Sequence, residues 1–148
     1  MKTVSNTSPL IAFAKLDRFD LLCTLVGIIL VPETVYRECL DNCTFPERLR
    51  FEYAHDHYFT LVNVKQTDAQ FSRKLGKGEQ EALTLAIQEH ADLLLMDDRK
   101  GYNEAQERGL TVASTRAILK IAEERQCIPS YDTVEQELRK RSFFVSRY

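Results

Sequence analysis

A three-layer α/β/α fold, with a central, mainly parallel sheet of four to five strands, is what this 148-residue sequence predicts. Three observations carry that reading. Short apolar runs of strand length alternate with segments whose apolar residues recur at helical spacing. The runs are apolar at successive positions, as in strands buried on both faces. The connections between them are short, which suits parallel strands joined through helices. With 44% hydrophobic and 28% charged residues, the composition is that of an ordinary folded domain, read as one unit over residues 1–148. No apolar run reaches the roughly 18 residues of a membrane span, and the N-terminus has no signal-peptide pattern. A cytoplasmic protein without membrane contact is therefore expected. Cys23, Cys39, Cys43 and Cys127 stand singly and read as buried thiols. Cys39-x3-Cys43 followed by His55-x-His57 fits no standard zinc spacing.

Thr3–Ser5 forms the first strand, and Asn6-Thr7-Ser8-Pro9 opens a helix through Leu10, Ile11, Phe13, Ala14 and Leu16. Asp17 reads as the cap of a second helix carrying Phe19, Leu21, Leu22 and Leu25. Ile28–Val31 is the second strand, and Pro32 starts a helix from Glu33 to about Asp41. A helical segment over Phe45–His57 leads to a third strand, Phe59–Val64. After the Gly76 and Gly78 punctuation, a helix runs from Glu79 to His90 with Ala82, Leu83, Ala86, Ile87 and His90 as its core stripe. Leu93–Met96 is the fourth strand. A helix from about Lys100 to Arg108 is stopped by Gly109, and Leu110–Ala113 is the fifth strand. Ser114-Thr115 caps a helix through Ile118, Leu119, Ile121 and Ala122, and a last amphipathic helix follows Pro129.

Ligands of such sheets sit beyond the carboxyl ends of the strands, where strand order reverses. Asn6 ends the first strand, Asp97-Asp98 end the fourth, and Glu79 lies in the first turn of the preceding helix. Stepping back three or four residues from Ala82 and Leu83 lands on Glu79, so a carboxylate continues the buried face. Glu81 falls off that stripe and reads as an ordinary first-turn acid, as does Glu33. Asp97 and Asp98 point to opposite faces, so one of them aims at the site while the other serves a turn or cap. Glu38 flanks the apolar set Val35, Tyr36, Cys39 and Leu40, and its direction is left open. Clustered carboxylates repel unless a cation sits among them, and an all-oxygen set suits Mg2+ or Mn2+. The matching chemistry is phosphodiester hydrolysis, with Lys74, Lys77, Arg99 and Lys100 to hold a polynucleotide backbone. A net charge of −2 confines such binding to local patches. No phosphate-binding or dinucleotide-binding glycine loop is present. A phosphoryl-transferase reading would need an aspartate where Asn6 stands, His90 reads as a buried histidine, and Ser8 as a helix cap.

Taken together, Val4-Ser5-Asn6-Thr7-Ser8-Pro9-Leu10-Ile11, Val31-Pro32-x3-Tyr36-x-Glu38, Leu75-Gly76-x-Gly78-Glu79-x-Glu81-Ala82 and Leu94-Leu95-Met96-Asp97-Asp98-Arg99-Lys100 resemble the PIN-domain superfamily, in its small prokaryotic branch of VapC-type toxins. The resemblance implies a metal-dependent endoribonuclease. It implies catalytic roles for Glu38, Glu79 and Asp98, and Mg2+ or Mn2+ held by Asn6, Glu38, Glu79, Asp97 and Asp98. It also implies a homodimer and a small antitoxin partner seated on the apolar N-terminal helices. Asn6 departs from the pattern, since it stands where the family has its first aspartate and brings a carbonyl without a charge. The alternative is a catalytically weakened or inactive PIN-like module that binds RNA or a protein without cutting.

Overall fold

The computed structural model describes residues 1–67 and 70–147. Its elements are β1 (Thr3–Ser5), α1 (Thr7–Leu16), α2 (Phe19–Val26), β2 (Ile29–Pro32), α3 (Glu33–Asp41), α4 (Phe45–His57), β3 (Phe59–Val62), α5 (Lys77–Gln88), β4 (Leu93–Leu95), α6 (Arg99–Glu107), β5 (Val112–Ala113), α7 (Thr115–Glu124) and α8 (Tyr131–Lys140). The five strands form one sheet in the order β3-β2-β1-β4-β5, and every paired neighbour is parallel.

Alternation along the strands divides the core in two. Ile29, Val31 and Leu95 face a cluster built with α1, α2, α3, α4, α7 and α8, whereas Val4, Leu94 and Met96 face α5 and α6. Helices thus cover both faces, giving the three layers. Chain order reverses between β1 and β4: β2 and β3 extend one way from β1, β4 and β5 the other. The crevice beyond the ends of β1 and β4 is the place for a ligand.

Several local expectations need correction. Asp17 closes α1 instead of capping α2. Its φ of 53° lies in the left-handed region that Asp tolerates, its amide donates to the Ala14 carbonyl, and Arg18 is the N-cap of α2. β3 ends at Val62, two residues early, and β2 starts at Ile29, leaving Ile28 64% exposed. The core stripe of α5 stops at Ala86. Ile87 is at the surface, and His90, at φ 49°, sits exposed in the turn after the helix. Only Cys39 is a fully buried thiol, the other three being half-buried. Most apolar residues of α1 and α2 are taken up in the core, with Leu16, Cys23 and Leu25 partly buried at its margin. Exposed apolar side chains include Phe45, Leu49 and Tyr53 along α4. No helix among the described residues is long and apolar enough to cross a membrane.

Candidate active site

A pocket of about 420 Å³ opens at the switch point, lined by Asn6, Thr7, Ser8, Ile11, Glu79, Asp97, Asp98 and Phe143. The sequence predicts Asn6, Glu79, Asp97 and Asp98 at this place; Glu38 is close by but off the lining.

Asn6 extends β1, its amide donating to the Leu95 carbonyl at 2.9 Å. Although it is the N-cap of α1, its side chain makes no capping bond. The amide Nδ2 turns to the sulfur of Met96 at 3.2 Å, a weak acceptor, and Oδ1 is buried with no partner among the described residues. An orphaned carbonyl oxygen on a residue that lines a carboxylate-bearing pocket is a donor a hard cation would satisfy. Met96 has room for this contact because residue 101 is glycine: a Cβ there would come within 2.8 Å of its sulfur.

The two adjacent aspartates divide their tasks. Asp97 accepts from Ser8 Oγ at 2.9 Å, from the Thr115 amide at 2.7 Å and from Thr115 Oγ1 at 2.6 Å, pinning the start of α7 to the start of α1. Its hydrogen-bonding capacity is largely used, which makes it a positioning residue. Asp98 is exposed and caps α6, accepting the Gly101 amide at 2.9 Å.

Glu79 is half-buried in the first turn of α5. Burial pushes its carboxyl above the usual range, and the charges of Asp98 and Glu38 push the same way. Glu38 leans inward from α3, where Thr7 Oγ1 donates to it at 2.7 Å. A Cβ on residue 78 would sit 2.7 Å from both Glu38 carboxylate oxygens, so glycine there lets the start of α5 approach the carboxylate. Gly78→Ala is therefore expected to dislodge Glu38 from Thr7 and cost about 1 kcal/mol in thermal unfolding, the worth of that hydrogen bond. In a Glu38→Ala background the same change should be neutral or stabilising, because alanine is the better helix residue. An equal cost in both backgrounds would refute the steric account.

Among the described residues, no three His, Cys, Asp or Glu side chains converge closely enough to hold a metal ion. The ready-made acidic cluster expected from sequence is thus not assembled. Asp97 is tied to Thr115, Glu38 to Thr7 and Asp98 to its helix, and like charges hold one another apart. The fit to a cation rests on oxygen donors only: Asn6 Oδ1 is unsatisfied, and Asn6, Glu79 and Asp98 line the same pocket.

Of the cationic residues expected to hold a backbone, Lys74, Lys77, Arg99 and Lys100 are all exposed, and none lines this pocket. Glu81, expected at the surface, is 5% exposed and accepts from Thr34 Oγ1 at 2.8 Å. Sequence reasoning also passes over Phe143, which forms an apolar wall with Ile11. Ser142, at φ 64°, ends α8 in a left-handed turn in which the Phe143 amide donates to the Leu138 carbonyl and the Ser142 amide to that of Arg139. That turn brings Phe143 and Val145 back against the core. A serine in the place glycine usually takes left no signal for it.

A family model described as PIN domain matches residues 2–148. Comparison with curated proteins finds no match. Among solved structures, the chain is similar to a PilT N-terminus domain protein from Sulfolobus solfataricus P2, with a TM-score of 0.59 at 16% identity over 82% of this chain and 93% of that one. It is similar to the PIN domain endonuclease Utp24, with a TM-score of 0.54 at 17% identity over 76% and 84%. It also resembles VapBC2 from Rickettsia felis, determined bound to a promoter DNA fragment, with a TM-score of 0.53 at 11% identity over 77% and 98%. At these identities the likeness is one of fold.

Proposed function

The chain belongs to the PIN domain family, whose members are generally nucleases, and on that premise we propose that it is a metal-dependent ribonuclease acting as one cytoplasmic domain over residues 1–148. The observation that carries this reading is the buried, unpartnered Oδ1 of Asn6, a residue that lines one pocket with Glu79 and Asp98. Asn6, Glu79 and Asp98 would hold Mg2+ or Mn2+, with Glu38 supporting the site from Thr7. Such an ion supplies Lewis-acid polarisation of a phosphoryl oxygen and a water of lowered pKa. The chain's own residues orient and exclude. Asp97 fixes α1 against α7, Thr7 seats Glu38, and Ile11 with Phe143 keeps one wall dry and offers a base an apolar surface.

The test is cleavage of a mixed RNA pool with Mn2+, Mg2+ or EDTA, by the parent and by Asp98→Asn, which removes the charge while retaining an oxygen for the α6 cap. Metal-dependent cutting that falls on the order of a hundredfold in Asp98→Asn is the expected result. No cutting in any metal would overturn it in favour of the second reading, a binding module without activity, which the neutral Asn6 and the unassembled acids favour. A second copy of the chain and a small antitoxin are further proposals, supported by the similarity to VapBC2; light scattering of the chain, alone and co-expressed with the product of a neighbouring short reading frame, tests both.

A further inference from the structure

A second pocket, of about 340 Å³, lies on the same carboxyl edge of the sheet, beyond the ends of β2 and β3. Arg37 from α3, Lys65 after β3 and Lys77 at the start of α5 line it, together with Glu33 and Glu81. All three cations are exposed, and none has a side-chain ion pair or hydrogen bond among the described residues. Glu81 is buried and engaged by Thr34, while Glu33 sits in the first turn of α3, where the helix dipole favours it. One positive charge is left in excess, the complement of one phosphodiester.

The first turn of α5 separates the two pockets, Glu79 lining the first and Lys77 and Glu81 the second. With strands about 4.8 Å apart, their centres are two strand spacings, or about 10 Å, from one another. A single strand lying across the sheet edge covers that in one or two nucleotides.

We propose that this second pocket is a phosphate subsite for the RNA strand, in which Arg37, Lys65 and Lys77 together take one backbone phosphate flanking the one at the Glu79 and Asp98 site. The assignment rests on the nuclease reading for its substrate. It departs from the sequence expectation for the backbone-holding residues: Lys77 stays, and Arg37 and Lys65 join it.

The experiment is fluorescence anisotropy of a labelled single-stranded 12-mer oligoribonucleotide in EDTA, titrated between 50 and 200 mM KCl. The parent, the double variant Arg37→Ala/Lys65→Ala and the charge control Arg139→Ala on α8 are compared, alongside cleavage in Mn2+. The double variant is expected to bind on the order of tenfold more weakly and to lose about 0.7 from the slope of log Kd against log salt, with Arg139→Ala matching the parent. A double variant that behaves like Arg139→Ala overturns the subsite even if the parent cuts RNA. A parent that binds with the expected slope change but never cuts leaves the subsite standing and sinks the nuclease reading. A parent that does not bind the 12-mer overturns the subsite.

Discussion

Asn6→Asp is expected to make the protein less stable without metal and more responsive to it. The new carboxylate would stand where a neutral amide now donates to Met96 sulfur, beside a Glu79 carboxyl already pushed up by burial and by the charges of Asp98 and Glu38. In EDTA the loss should be about 1–3 kcal/mol, from the forfeited contact and the added repulsion. Mn2+ or Mg2+ would reverse it, since a fourth acid converts a carbonyl donor into an anionic one. At a hundred times its dissociation constant an ion adds about 2.7 kcal/mol to stability, and each kcal/mol moves the midpoint of a chain of this length by about 2–4 °C. Thermal melts of parent and variant in EDTA and in Mn2+ therefore cross over, and RNA cleavage by the variant rises on the order of tenfold or more. Parallel melts, with the same metal shift in both proteins, would show that Asn6 Oδ1 does not face a cation.

Glu104→Ala is expected to give a large stability loss outside the pocket, about 3–5 kcal/mol. This α6 carboxylate is 2% exposed and collects bonds from the Ser72 amide and hydroxyl, the Arg73 amide and guanidinium, and the Arg108 guanidinium. Burial on its own would raise its pKa, but the bonds from Ser72, Arg108 and Arg73 outweigh that and hold it at about 2, below the ordinary 4.5. A carboxyl with a lowered folded-state pKa stabilises above its unfolded value and loses that contribution as pH falls through the folded one. The parent should thus lose stability between about pH 4.5 and pH 2, whereas Glu104→Gln shows a shallower fall across the same window. Urea midpoints at pH 7 and pH 3 for the two proteins test this, and equal acid dependence would refute it. Since the 70–73 segment leads directly into the Gly76–Glu79 start of α5, the same anchor steadies one side of the pocket.

The sheet, its parallel sense and its switch point were legible because each strand is a short apolar run between helices of clear periodicity. The pocket residues after β1 and β4 followed from that topology alone. What sequence did not reveal was which polar atoms are already engaged. Asp97 and Asp98 are adjacent and chemically identical, yet the Ser8 and Thr115 bonds that occupy Asp97 come from segments far away in the chain. Glu81 looked like a surface acid because its partner, Thr34, is on another helix. His90 kept the helical spacing of α5 but fell one turn beyond the last buried residue, where the chain reverses.

The walls of the candidate pocket bring Asn6 and Phe143 together from segments far apart in the sequence, with Asp97 holding residues 8 and 115 together between them. A pocket assembled from segments so far apart in sequence needs the sheet and the helices covering its α1 face in place together, so it forms and is lost with the global fold and not with any one local element.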